Sequence, residues 1–254
     1  MSIISLGAGV QSSTLALMAA HGEIEPLPKF AVFADTGDES EETYFWLNRL
    51  ESLLPFPIIK VASRYGRLSQ SLTKWGHSQI PAFFPSEGLR LSKGKRQCTK
   101  HWKIVPVQNG IRHTLDLVRK RLPESHITVW QGISLDEVSR MKTSREKWIK
   151  SRWPLLEKGM RRRDCLAWMK LHGYPEPARS ACVFCPLQNR EEWRQKKIKG
   201  GVEWALILEV EKQLLERGEY LDPEGKGVSE FADGKFDERQ INLFENECEG
   251  MCGV

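Results

Sequence analysis

The residues best placed to do chemistry fall into two sets: small hydroxyl-bearing residues near the start of the chain, and cysteines spread toward its end. Ser5-Leu6-Gly7-Ala8-Gly9-Val10-Gln11-Ser12-Ser13-Thr14 follows the apolar Ile3-Ile4 and precedes Leu15, Leu17, Met18 and Ala19, which carry helical spacing. Gly7 and Gly9 have no Cβ, so backbone there can approach a ligand and take a positive φ. Ser12, Ser13 and Thr14 bring hydroxyls and amides to the positive end of a helix dipole. This combination suits a phosphate or sulfate; a plain glycine turn before a capped helix fits the same letters. No Gly-Lys-Ser follows, so the loop is not of the Walker type. Ser12 also stands where the dinucleotide fingerprint needs a glycine.

Asp35-Thr36-Gly37 closes a second apolar run, Ala31–Ala34. Its carboxylate either helps position a nucleoside or caps the helix that follows. The six cysteines are Cys98, Cys165, Cys182, Cys185, Cys248 and Cys252. Cys182-Val-Phe-Cys185-Pro186 offers two thiolates from one tight turn. Cys98 and Cys165 would complete a four-thiolate site for zinc or [4Fe–4S], which spacing does not separate. Cys165, beside Leu166 and Trp168, reads equally well as a buried apolar side chain. Cys248 and Cys252 suit a thiol that attacks and is then resolved as a disulfide; further metal ligands or an unreactive end are the alternatives. Arg140, Lys103 and the run Arg161-Arg162-Arg163 offer cations for anionic oxygen. Together with Trp102, Trp148 and Trp153, such cations would also suit nucleic acid. The six histidines show no pairing at ligand spacing, which leaves His101, three residues from Cys98, as the one to test.

These residues need a scaffold. Apolar runs at Ile3-Ile4, Ala31–Ala34, Phe56–Val61 and Ile127–Trp130 read as strands, with a helix over about Glu39–Leu54. The alternation predicts right-handed crossovers and a parallel sheet, with ligands at the carboxyl ends of its strands. Further helices are expected near Leu68–Trp75, from Pro106 through Val118, over Arg163–Leu171, around Trp193 and over Val202–Leu215. Trp153-Pro154-Leu155 reads as a linker. The expected fold class is α/β: a mostly parallel twisted sheet with helices on both faces and a helical, cysteine-containing C-terminal region. The expected division is a nucleotide-binding domain over 1–145, a helical Cys-x-x-Cys region over 146–217 and an irregular tail over 218–254. At 254 residues, 40% apolar and 28% charged with a net charge of +5, the chain is long enough for one large α/β domain. No run approaches the roughly 20 apolar residues of a membrane span, and no signal peptide is evident. With Cys-x-x-Cys chemistry, this predicts a cytoplasmic protein.

Several motifs, taken in order, resemble the phosphoadenylyl-sulfate (PAPS) reductase family of the PP-loop, adenine-nucleotide α-hydrolase-like superfamily. Gly9-Val10-Gln11 is similar to its Gly-Ile-Gln, and Asp35-Thr36-Gly37 with Glu42-Thr43-Tyr44 to its Asp-Thr-Gly…Glu-Thr. Cys98 with Lys103-Ile-Val-Pro106 resembles its Cys-x-x-x-x-Lys-x-x-Pro, and Gly132-Ile133 with Glu137 and Arg140 its Gly-Ile-Arg loop. Trp153-Pro154-Leu155, Arg179 and Cys182-Val-Phe-Cys185-Pro186 resemble its later segments. Ser134 and Val138 depart from the Gly-Ile-Arg loop, Cys98 is single where cluster-bearing members have a pair, and Cys248-Glu-Gly-Met-Cys252 departs from the family tail.

The resemblance implies an adenine-nucleotide enzyme binding ATP or a sulfonucleotide through Ser5, Gly7, Gly9, Gln11, Ser12, Ser13, Asp35, Gly37 and Gly132. It implies sulfonucleotide reduction with Cys248 as the nucleophile and Lys103 and Arg140 stabilising anionic oxygen. For Cys98, Cys165, Cys182 and Cys185 it favours [4Fe–4S] over zinc. Mg²⁺ with the nucleotide, a thiol reductant such as thioredoxin and a homodimer are further expectations. A second reading is an ATP pyrophosphatase or sulfurtransferase that adenylates nucleic acid for thiolation. A third is a nucleotide- or nucleic-acid-binding module without turnover.

Overall fold

In the computed structural model, residues 1–87 and 91–231 are described. In chain order the elements are β1 (Ser2–Leu6), α1 (Val10–Ala20), β2 (Ala31–Asp35), α2 (Glu41–Leu53), β3 (Ile58–Ala62), β4 (Phe83–Phe84) and β5 (Ser92–Lys93). A wide-pitched turn at Thr99–Ile104 then leads into α3 (Val105–Thr114), followed by β6 (Ile127–Gln131) and β7 (Ile149–Arg152). Five helices close the described chain: α4 (Pro154–Glu157), α5 (Arg162–Leu171), α6 (Arg190–Lys199), α7 (Gly201–Leu215) and α8 (Val228–Phe231). No helix among the described residues is long and apolar enough to cross a membrane.

Contacts divide the chain into two units along lines other than 145/146 and 217/218. The first gathers Met1–Arg64 and Thr99–Ser180; the second gathers Tyr65–Cys98 and the described residues from Ala181 onward. The cause is that the 65–98 segment finds its partners far along the chain: Phe83 and Tyr220 exchange backbone hydrogen bonds of 2.8 and 2.7 Å.

The first unit is an α/β layer with strand order β3-β2-β1-β6-β7, every pair parallel. Its strands alternate in the manner of period-two backbone. Ile4, Leu6, Ala31, Phe33 and Trp130 pack with Leu15, Leu17, Trp46, Leu47, Leu50, Cys165 and Met169, so α1, α2 and α5 cover that face. Ile3, Val32, Ala34, Ile127 and Val129 pack with Val107 and Ile111 of α3 on the other. The expected fold class is therefore the observed one.

Several elements differ from the sequence reading; Pro154 and Leu155, expected in a linker, open the short helix α4, where proline suits a first-turn position. A fifth strand, β7, lies at Ile149–Arg152, where only Ile149 is buried and the rest of an edge strand faces outward. Its Arg152 guanidinium lies 4.7 Å over the Trp130 ring, so the polar end of the edge strand still packs. The expected helix near Leu68–Trp75 is reduced to one 3-10 turn at Ser69–Ser71. Here the Ser71 hydroxyl donates to Tyr65 O at 2.7 Å, and such a side-chain bond competes with helix formation.

In the second unit β4 and β5 pair antiparallel. The helix α6 opens with a reciprocal capping box between Asn189 and Glu192, with bonds of 2.7 and 2.8 Å. Trp193 is buried, as are Ile207, Val210 and Leu214 of α7.

Helix α3 comes so close to the sheet that a Cβ on Gly110 would lie 2.5 Å from Val61 Cγ1 and 3.6 Å from Val32 Cγ1. Gly110→Ala is therefore expected to destabilise the protein by about 1–3 kcal/mol through overpacking, even though alanine is the better helix former. Urea unfolding midpoints of the two proteins test this.

Candidate functional site

Strand β1 carries β2 on one edge and β6 on the other, so the strand order reverses direction at β1. In open parallel sheets such a point opens a crevice at the carboxyl ends of the strands, where ligands bind. The loops that follow β1 and β6 meet there. A Cβ on Gly132 would lie 2.6 Å from Ser12 Cα and 2.7 Å from Ser12 N, so the two backbones touch where no side chain fits.

The first loop is built from the chain itself. Ala8, rather than either glycine, takes the left-handed conformation, with φ 62°. For a residue with a Cβ this is a strained state of the kind that clusters at binding sites. Gly9 caps α1 with extended backbone and no side-chain bond to the helix amides. The amides that open a helix have no intrahelical acceptor. The Ser12 hydroxyl accepts from Gly7 N at 3.2 Å, the Ser13 hydroxyl accepts from Trp46 Nε1 at 2.8 Å, and Ser180 donates to Gly7 O. Nothing in the sequence pointed to Ser180 or Trp46; their roles depend on tertiary approach.

The Gln11 side chain joins two elements of the first unit. Its amide nitrogen donates to Glu137 at 3.2 Å and its oxygen accepts from Arg162 Nη1 at 3.2 Å, while Glu137 pairs with Arg140. The result is a chain, Arg162–Gln11–Glu137–Arg140, that ties α1 to the loop after β6. Asp136 extends it by accepting from Arg162 N at 2.6 Å.

At the end of β2, Asp35 Oδ1 accepts from Gly37 N and from the Tyr44 hydroxyl, both at 2.7 Å. Burial, followed by that bond to Asp35, pushes the Tyr44 phenol well above its ordinary range, so it stays a neutral donor. Ser40, rather than Asp35, caps α2, accepting from Thr43 N at 3.3 Å. Lys103 pairs with buried Glu39 at 3.2 Å, and Thr36 donates to the same oxygen at 3.1 Å. The two cations expected to meet anionic oxygen, Lys103 and Arg140, thus each face a carboxylate of this chain. Desolvation, then the charges of Lys100 and Arg64, hold the His101 imidazole below its ordinary range and favour the neutral ring.

Beside α2 lies a cavity of about 580 Å³, lined in part by Phe45, Trp46, Arg49, Arg162 and Arg179. Its lining carries three guanidinium groups and two carboxylates, Glu42 and Glu176, and Arg162 lies 3.8 Å from Glu176.

The four expected metal ligands fall in both units. Cys165 is fully buried in the apolar core of the first unit, among Leu17, Met169 and their neighbours. Cys98, Cys182 and Cys185 belong to the second. Among the described residues no three cysteines bring their sulfurs within 4.8 Å of one another, so a mononuclear zinc–thiolate site is not preformed. Cys248 and Cys252 lie outside the described residues.

The Cys182–Cys185 turn has its own electrostatics. Cys185 N donates to Cys182 O at 3.0 Å, and the Gln188 amide donates to Val183 O and Cys185 O at 3.0 Å each. Lys196 donates to Val183 O at 2.7 Å and to Gln188 Oε1. Burial pushes the Lys196 ammonium down to about 8, against the opposing pull of Glu203 and the two thiols.

No family model matches the chain, and no curated protein matches it. Among solved structures it is similar to phosphoadenylyl-sulfate (PAPS) reductase from Candida auris in a phosphate complex. That likeness has 13% identity over 69% of this chain and 74% of the other, with a TM-score of 0.47.

A cation beside a thiol favours the thiolate. Lys196→Met is accordingly expected to slow alkylation of Cys182 and Cys185 several-fold near neutral pH. The gap should narrow as pH rises past about 8, where Lys196 itself loses its proton. Peptide mass spectrometry after timed iodoacetamide treatment reads both effects.

Proposed function

We propose that this chain is an adenine-nucleotide enzyme whose anion-binding crevice lies between the loops after β1 and β6, and that its reaction is sulfonucleotide reduction. The observation that carries the binding site is a pair of buried hydroxyls where these loops meet. At the carboxyl end of β1 and just past β6, the hydroxyls of Ser5 and Ser134 are buried without a hydrogen-bond partner among the described residues. Buried polar groups left this way cost about 1–3 kcal/mol each. An anion's oxygens, accepting from these hydroxyls and from the α1 amides, would recover that cost. The Gly7–Gly9 loop, Gln11, Ser12 and Ser13 supply the cradle's backbone, and Asp35 and Gly37 flank it.

In the proposed reaction the Cys248 thiolate attacks the sulfur of the bound sulfonucleotide. The bond from sulfur to the bridging oxygen breaks, and its electron pair leaves on the nucleotide phosphate. The cysteine then carries a sulfonate. A second thiolate, from Cys252 or an external dithiol, attacks the cysteine sulfur and expels sulfite, leaving a disulfide. A thiol reductant of the thioredoxin class returns that disulfide to two thiols, which supplies both electrons. The support here is the order of motifs in the sequence, with the tail cysteines as nucleophile and resolving group.

A second reading is favoured by the buried acids of the β2 loop, Asp38 and Glu39. Oxygen ligands of this type suit a Mg²⁺ shared with nucleotide phosphates. In that reading ATP is split between its α- and β-phosphates and the adenylyl group activates a base for thiolation.

Calorimetric titration with ATP, adenylyl sulfate and its 3′-phosphorylated form tests the crevice, and sulfite release with a dithiol tests the reaction. Gly132→Ala is expected to weaken nucleotide binding at least tenfold, which corresponds to about 1.4 kcal/mol. Cys248→Ser is expected to leave binding intact and abolish sulfite release. Pyrophosphate release from ATP with no sulfite from either sulfonucleotide would select the second reading. Absence of heat with all three nucleotides would refute both.

A further inference from the structure

Away from the crevice, α1 and α5 end side by side, each with a histidine as its C-cap: His21 and His172. Separated widely in sequence, these are two of the histidines that spacing left unpaired. The fold sets their rings edge to face at 4.9 Å. With Glu23 they form a group whose ligand atoms all lie within 4.8 Å of one another.

The surroundings orient these side chains. His172 Nδ1 meets Trp168 O at 2.8 Å. A carbonyl only accepts, so Nδ1 carries the proton and, in the neutral ring, Nε2 keeps its lone pair. That nitrogen lies 3.8 Å from Glu23 Oε1. A ring nitrogen and a carboxylate oxygen, both able to ligate a cation, therefore lie side by side. A backbone carbonyl that holds the far nitrogen of a histidine is the usual outer support of a metal ligand. Glu23 is held in turn by Trp168 Nε1, which donates to it at 2.9 Å. His21 Nε2 meets the Tyr174 hydroxyl at 2.8 Å, which fixes the ring plane. The Trp168 ring stacks on His172 at 4.0 Å. Both helices also present the negative ends of their dipoles here, which favours a cation.

We infer that His21, Glu23 and His172 form a site for a borderline divalent transition metal of the Zn²⁺ class. Two imidazole nitrogens and one carboxylate oxygen are a ligand set of this class, leaving a fourth position open to water or another donor. A tetrahedral ion with bonds of about 2.1 Å wants its ligand atoms roughly 3.4 Å apart. His172 Nε2 and Glu23 Oε1 already stand 3.8 Å apart, and all three ligand atoms lie within 4.8 Å of one another. This site is separate from the cysteines and from the proposed crevice chemistry.

Ni²⁺ is the probe, because it quenches a tryptophan beside it and Trp168 is stacked on a proposed ligand. The full-length protein is expected to show a saturable quenching component with NiCl₂ that Zn²⁺ reverses by competition. That component should vanish in Trp168→Phe, and its midpoint should rise at least tenfold in His21→Asn and in His172→Asn. It should persist in Cys182→Ser/Cys185→Ser, which separates it from thiolate binding. Circular dichroism and the urea midpoint check that each variant is folded. Unchanged quenching in both folded histidine variants, or loss only with the cysteines, overturns the inference. So does no saturable quenching at all, which would leave the group as an ion pair between His172 and Glu23.

Discussion

The contact on which the rest of this structure turns is between two stretches of backbone: Gly132, just past β6, and Ser12, in the first turn of α1. It follows from the parallel register of β1 with β6, which sets Ser2 beside Thr128 and Ser5 beside Gln131 and so carries the next residue into the helix N-terminus. Because the two backbones touch, the side chains that flank them reach across. Gln11 bridges to Glu137, Arg162 to Gln11, and Trp153 Nε1 to Gln131 Oε1 at 2.8 Å. A larger residue at position 132 would hold the loops apart and break this set of bonds together.

Three carboxylates near the loops after β1, β2 and β6 have donors within the first unit. Lys103 with Glu39, Arg140 with Glu137 and Tyr44 with Asp35 each join a donor to a carboxylate. Buried pairs of this kind are weak contributors to net stability, since desolvation offsets much of the attraction. What they set is geometry: each carboxylate fixes the loop that bears it at the carboxyl edge of the sheet. In the proposed function an anion would meet fixed helix amides, and Arg49, Arg162 and Arg179 line the neighbouring cavity. Preorganised dipoles need no rearrangement when charge arrives.

Much of the scaffold was legible from the letters because β1, β2 and β6 are short apolar runs buried on both faces, and loops with small or acidic residues follow them. Strand β7 was not, since an edge strand with one buried residue carries no apolar run. The helix expected near Leu68 failed for a local reason, a serine hydroxyl taking a nearby carbonyl. Around the crevice, residue types were readable but partners were not. Gln11 was legible as a residue of the loop but not as a bridge between elements, and Ala8, rather than a neighbouring glycine, takes the left-handed turn. Cys165 has the burial and company of a leucine, the apolar environment that its neighbours Leu166 and Trp168 already suggested. The facing of His21 and His172 was out of reach of spacing, because it is made by two helix ends that meet only once the sheet has formed.

The second unit is stitched from pieces far apart in the polypeptide, and this bears on how the protein is made. Phe83 finds its backbone partner at Tyr220, roughly 140 residues later, which at ribosomal speed is a delay on the order of ten seconds. Until then the 65–98 segment leaves the exit tunnel with its apolar Ile80, Ala82 and Phe83 uncovered. Nascent chains in that interval are the form of this protein most exposed to aggregation and most in need of a chaperone.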